Sequence, residues 1–266
     1  MQSLEFLRAW RERARKWQER IPAPENRPSD VAMEGAFLTG DPLMTLVQPV
    51  IEPALFADVL SDLAGLLSEQ REDVRTLAEA LSRAPAAERQ ALAVALLEGE
   101  GSEAWAHSAG LTAAEADLVM TLAGLALQPF MARFAATAAA GAALPMWRKN
   151  YCPVCGSTPD VCRIDPDNLR FLHCPQCDTQ WEHHRLACVV CDTDDVKKVN
   201  ILTVEEMEPW RVELCDVCGG YTKTLDQRHG GHLAMPRVDL YLEDARTIQL
   251  DLLAEQEGYR RGGRAQ

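Results

Sequence analysis

Cysteine pairs of the form C-x-x-C occur four times in this chain, as Cys152/Cys155, Cys174/Cys177, Cys188/Cys191 and Cys215/Cys218. Two thiolates on one tight turn make half of a tetrahedral site, so two such turns can hold one zinc or iron ion. Four sulfurs fill the tetrahedron and leave no position for an activated water, which argues against metal-dependent hydrolysis. The same motif can act as a redox dithiol, but that chemistry asks for a helix N-terminus in a βαβ setting that lowers the thiol pKa. Here the motif comes four times and two of the pairs follow strand-like runs, so metal is the better reading.

Which pairs close together is a question of spacing and of repetition. The gap from Cys155 to Cys174 is 18 residues, from Cys191 to Cys215 it is 23, and from Cys177 to Cys188 only 10. Spacing alone favours neighbours in sequence order, weakly. An internal repeat is more informative. Leu169-Arg170-Phe171 stands before the second pair and Trp210-Arg211-Val212 before the fourth, each followed after its cysteines by an aromatic, Trp181 and Tyr221. Duplicated units each carry their own metal. The expected sites are therefore Cys152, Cys155, Cys174 and Cys177, then Cys188, Cys191, Cys215 and Cys218. Units of 26 and 31 residues cannot bury a sufficient core alone. A structural zinc site supplies roughly 10 kcal/mol toward that deficit. Cys162, the ninth thiol, reads as a small buried core residue. His173, His183 and His184 read as surface groups or as groups that orient the ligands, since eight sulfurs already satisfy two ions.

The elements that must position these turns fall into three stretches. Residues 1–147 read as helical: Leu7, Trp10, Ala14, Trp17 and Ile21 form one stripe, Asp41-Pro42 looks like a helix start, and Thr112 with Glu115 forms a capping box before an apolar helix. Around the cysteines the period changes to two, as in Trp210-Arg-Val212-Glu-Leu214. Residues 236–261 return to helical spacing through Leu242, Ala245, Ile248 and Leu252, before a short glycine-rich tail. The expected fold is multidomain, α plus small β. A helical domain (1–147) precedes two four-cysteine modules (148–186 and 187–235) and a C-terminal helix with its tail (236–266).

Composition narrows the partners. The net charge is −13, and residues 148–226 hold nine Lys/Arg against fourteen Asp/Glu. Each divalent ion in four thiolates adds about −2 more, the wrong sign for a surface that tracks phosphates. The longest apolar runs, Leu118–Ala132 and Phe134–Trp147, fall short of the roughly 20 residues that span a bilayer. The charged start is no secretory signal. The expectation is a cytoplasmic protein without membrane insertion or nucleic acid, in a compartment where cysteines stay reduced.

CPVCGS at 152–157, LRFLHC at 169–174, Trp181-x-x-x-Arg185-x-x-Cys188, ELCDVCGGYTK at 213–223 and LDLLAEQEGYRR at 250–261 together resemble the formate dehydrogenase accessory protein family, the FdhE type. The resemblance is specific over 147–261; before that it rests on helical character and GDPL at 40–43. It implies a non-enzymatic cytoplasmic protein with two rubredoxin-like modules. It also implies iron at the eight cysteines, with zinc an alternative, and contact with the catalytic subunit of respiratory formate dehydrogenase. Trp181, His183, His184, Arg185 and Tyr221 are candidate partner contacts.

Two other functions compete. One is rubredoxin-like electron transfer, suggested by C-x-x-C-G at 152–156 and 215–219 but weakened by Asp178 and Asp192, which stand where such sites place glycine. The other is a nucleic-acid-binding zinc ribbon, opposed by the charge.

Overall fold

A computed structural model describes residues 2–24, 26–67, 83–98, 113–142, 144–229 and 238–263, with positions 77 and 79. The chain forms two compact units: one of residues 1–26 and 48–137, the other of 27–47 and 138–266. This division differs from a boundary at 147, because residues 27–47 cluster with the cysteine region. Thr112 of the expected capping box and the last three residues of the tail lie outside the described residues.

In the first unit, helix α1 (Gln2–Arg20) buries Phe6, Trp10, Ala14 and Trp17, with Ile21 just beyond its end. The stripe begins at Phe6, one position earlier than the sequence spacing suggests. In the second unit, α2 (Asp30–Thr39) is capped by the Ser29 hydroxyl, which accepts from the Ala32 N–H, and ends at Gly40 with φ 87°. Back in the first unit, α3 (Pro53–Leu67) packs Phe56 edge-on against Phe130, and its Asp62 accepts from the Trp17 indole at 2.8 Å. Helices α4 (Ala86–Glu98) and α5 (Ala113–Ala138) follow. Gln128-Pro129 and Arg133 do not interrupt α5, so Asp117–Ala138 is long and apolar enough to cross a bilayer, unlike the runs counted in the sequence. Two thirds of its most apolar window is buried, as in the central helix of a bundle. Arg133 also donates to the Ile21 carbonyl at 3.1 Å.

In the second unit, the expected helix start at Asp41-Pro42 is only a 3-10 turn, Leu43–Thr45, and the Asp41 carboxylate accepts from the Thr39 hydroxyl. Strands β1 (Val161–Ile164), β2 (Arg170–His173) and β3 (Gln180–His183) form one antiparallel meander. Strands β4 (Val199–Thr203), β5 (Trp210–Cys215) and β6 (Gly220–Asp226) form a second. The meanders join through a parallel pairing of β1 with β6, Val161 opposite Lys223 and Ile164 opposite Asp226. The sheet order is therefore β3-β2-β1-β6-β5-β4. The two repeats share one sheet instead of standing as separate modules.

The C-terminal helical stretch is two helices, α6 (Leu240–Arg246) and α7 (Ile248–Gln256), followed by β7 (Arg260–Arg261) on β6. The break has a cause: the buried Lys223 ammonium donates to the Asp244 carbonyl at 2.7 Å and the Asp251 carboxylate at 2.6 Å. The apolar stripe differs from the one expected, since Ile248 and Leu252 are exposed while Leu240, Leu250 and Ala254 join Trp210, Val212 and Leu225 in the core.

Candidate metal centre

All four C-x-x-C turns have one backbone design. The carbonyl of the first cysteine accepts from the residue after the second: Gly156 to Cys152 at 2.9 Å, Asp178 to Cys174 at 3.0 Å, Asp192 to Cys188 at 2.9 Å and Gly219 to Cys215 at 2.8 Å. That residue is left-handed each time, with φ of 81°, 59°, 59° and 67°. Glycine adopts this region freely, and aspartate is among the few other residues that visit it routinely. Asp178 and Asp192 thus take the place of glycine, and the departure noted in the sequence leaves the turn unchanged. Each carboxylate also faces a histidine: Asp178 is 3.3 Å from His173 Nε2 and Asp192 is 3.1 Å from His183 Nε2.

The turns bring eight sulfurs into two clusters, Cys152/Cys155/Cys174/Cys177 and Cys188/Cys191/Cys215/Cys218, each with all ligand atoms within 4.8 Å of one another. The grouping runs consecutively along the chain, one foursome to each repeat. In the first cluster the sulfur contacts are 3.5, 3.6 and 3.7 Å; in the second, two contacts are 3.9 Å. A tetrahedron with metal–sulfur bonds of about 2.3 Å has edges of about 3.8 Å, and a disulfide is about 2.05 Å. The nine thiols are free. The donor set therefore fits a four-coordinate thiophilic ion.

The electrostatics point the same way. Hydrogen bonds from Cys152, Cys174 and Cys177 push Cys155 far down, whereas burial pushes Cys177 well up. Hydrogen bonding to Cys152 and Cys155 raises Cys174. In the second cluster burial raises Cys188, and Cys218 to about 11. Thiols this close cannot all ionise beside one another; a divalent cation removes that penalty. Ser157 and Thr179 hydroxyls approach Cys155 and Cys177 at 3.3 and 3.1 Å, and the Val154 and Val190 N–H groups donate to Cys152 and Cys188 at 3.4 Å.

The first turn is seated from outside the sheet. The Leu43 and Met44 N–H groups donate to the Pro153 and Val154 carbonyls at 2.9 Å, and the Tyr151 hydroxyl to the Gly40 carbonyl at 2.7 Å. Gly40 needs to be glycine here: besides its positive φ, an added Cβ would lie 3.1 Å from both Lys149 and Tyr151.

Most of the candidate partner contacts are interior, which corrects that reading. Trp181 is buried and donates to the Lys149 carbonyl at 2.9 Å. Tyr221 is buried and donates to Asp251 at 2.9 Å, and His183 is buried beside Asp192. The alternation of β3 turns Trp181 and His183 inward, and β6, which carries Tyr221, is buried along its whole length. His184 is exposed, and with the partly exposed Arg185 it lines a cavity of about 510 Å³ also bounded by Leu186, Asp192, Asp194 and Val196. His173 is buried, not at the surface; although burial opposes it, Asp160 at 2.8 Å holds its pKa up at about 10. Cys162 is fully buried, and burial pushes its thiol up to about 12.

The repeated arginines prove central. Arg170, fully buried, pairs with Glu213 and donates to the Ala187 carbonyl at 2.7 Å; Arg211 reaches the other oxygen of Glu213 at 3.2 Å. Their place in the repeat was legible, but their shared carboxylate was not.

Two four-cysteine clusters on a shared sheet define the class: a protein with paired sites that could each hold a metal ion. Residues 151–185 match the family model described as FdhE, central domain, and 186–266 the one described as FdhE, C-terminal domain. The likeness to FdhE proteins is carried by these two domains, over residues 151–266. An FdhE homolog of Aquifex aeolicus is 38% identical over 117 residues, 42% of this chain and 40% of that protein. One of Proteus mirabilis is 30% identical over 214 residues, 78% of this chain and 63% of that protein. The match thus spans less than two thirds of the length of either relative. The crystal structure of the FdhE protein from Pseudomonas aeruginosa has the same fold, with a TM-score of 0.68 at 23% identity, covering 95% of this chain and 84% of that one.

Proposed function

We propose that the protein is a non-catalytic, cytoplasmic accessory factor in the production of active respiratory formate dehydrogenase. It binds the catalytic subunit through a surface that its two metal centres make rigid, and needs neither nucleic acid nor membrane insertion. The eight cysteines are the metal ligands, with iron favoured over zinc by the family. The observation that carries the reading is the pair of closed tetrathiolate clusters in FdhE-type domains. Sites with four protein ligands stabilise structure and leave substrate no coordination position. His184 and Arg185, at the exposed cavity beside the second cluster, remain the contact candidates.

Co-purification with the formate dehydrogenase catalytic subunit tests this. Enrichment over a charge-matched control, reduced by His184→Ala with Arg185→Ala, is the expected result; equal recovery with the control overturns it.

A second reading, electron transfer, draws support from the four left-handed turns, which satisfy rubredoxin-like geometry even with Asp178 and Asp192. It requires iron, which cycles between two oxidation states where zinc cannot. A red protein that bleaches on reduction would favour it, and a colourless one with stoichiometric zinc would remove it.

A further inference from the structure

We infer that the two tetrathiolate sites load in order and in concert. Site one (Cys152, Cys155, Cys174, Cys177) fills first and thereby raises the affinity of site two (Cys188, Cys191, Cys215, Cys218), because first-repeat groups hold the backbone of the Cys188–Cys191 turn. This rests on the reading of both clusters as metal sites and goes beyond it: independent modules would bind independently.

Three residues of the first repeat, Asn150, Arg170 and His183, reach into the second site. Asn150, two residues before Cys152, donates its side-chain amide to the Val190 carbonyl at 3.0 Å, inside the Cys188–Cys191 turn. Arg170, four residues before Cys174 and fully buried, donates to the carbonyl of Ala187, the residue preceding Cys188. The same guanidinium pairs with Glu213, two residues before Cys215, so it touches the approaches to both halves of site two. His183, at the end of the strand that follows Cys177, lies 3.1 Å from Asp192, the left-handed residue that closes the turn. The β1–β6 pairing adds a fourth tie, joining the strand after the Cys152–Cys155 turn to the strand after the Cys215–Cys218 turn.

A metal site's apparent affinity is reduced by whatever it costs to organise its ligands. An ion in site one fixes β2 and the residues around Asn150, so the Cys188–Cys191 turn is already in place when the second ion arrives. Coupling is reciprocal by linkage: each ion changes the other's affinity by the same factor. Order comes from the difference between the sites. Site one leaves only Cys155 partly exposed and has hydroxyls on two of its sulfurs, whereas Cys191 and Cys218 of site two are both partly exposed. The first binding step therefore reports site one, and the coupling appears in the second.

Cobalt(II) titration of the metal-free full chain under reducing, anaerobic conditions tests this, followed by thiolate-to-cobalt absorption and by competition with a chelator. The wild type should take two ions in two steps. Cys218→Ser should take one, with the affinity of the wild-type first step. Cys174→Ser should retain a site weaker than the wild-type second step by about tenfold, within the usual range of coupling factors. Asn150→Ala keeps all eight cysteines and decides the matter if Cys174→Ser fails to fold: it should weaken the second step and leave the first unchanged, a split that general destabilisation would not give. Cys174→Ser binding at full second-step affinity, or Asn150→Ala leaving both steps unchanged, overturns the coupling alone. A wild type that takes fewer than two ions overturns the metal reading itself.

Discussion

The two four-cysteine clusters are copies in sequence but not in environment. The first is enclosed: three of its four cysteines are buried, hydroxyls approach Cys155 and Cys177, and residues 43–44 seat its first turn by two backbone hydrogen bonds. The second has two partly exposed cysteines and borrows contacts from the first repeat. Duplication supplied two identical coordination sets, and the sheet between them made one a scaffold for the other. Within such a pair, the copy that keeps its own supports is the more structural, and the copy at the margin is the more accessible.

The largest expected effect breaks both copies at once. Stripping metal with a strong chelator removes roughly 10 kcal/mol per site, so the strand signal and protection of β1–β6 amides should disappear while the helices of the other unit persist, as hydrogen exchange would show. Next is the joint between the copies. Glu213→Gln leaves the buried Arg170 without its counter-charge, and breaking a buried ion pair costs about 3–5 kcal/mol; chemical denaturation should show a loss in that range.

Trp181→Ala and Trp210→Ala compare the cores of the two repeats, each truncating a buried tryptophan at a cost of about 3–5 kcal/mol. If Trp181 were a partner contact instead, its loss would spare stability and reduce only binding. Smaller again is the turn chemistry. Replacing Asp192 by glycine relieves a left-handed side chain but removes the contact with His183, and the two should nearly cancel, to within about 1 kcal/mol by thermal unfolding.

The smallest effect concerns pH. Hydrogen bonds from Arg228 hold Asp226 down at about 2, below its ordinary value near 3.8. A depressed carboxylate contributes stability that is fully present above the unfolded pKa and lost as pH falls through the folded one. Asp226→Asn should therefore lower stability at pH 7 slightly, and the difference from wild type should shrink as pH falls from about 4 toward 2.

Local signals in the sequence revealed much of this. The C-x-x-C spacing, the repeat around Arg170 and Arg211, and the alternation of Trp210, Val212 and Leu214 are each set within a few residues. What the chain did not reveal depends on pairing between distant residues. The β1–β6 ladder joins positions some sixty residues apart, and nothing in Val161-Cys-Arg-Ile announces a parallel partner. The division of α6 from α7 depends on Lys223 reaching carbonyls twenty residues ahead, so helical spacing alone joined them and chose the wrong face. The burial of Trp181 and Tyr221 has a related origin: the hydrogen-bond partners of these aromatics, Lys149 and Asp251, are distant in the chain.

The parallel ladder also has a consequence for synthesis. A ribosome releases β1 well before β6, and until Asp226 emerges β1, the edge strand of the first meander, keeps an open flank. Unpaired strand flanks invite pairing with other chains, so a fragment ending between the repeats would be prone to self-association even with its own ion bound. Only the finished chain can cover that flank.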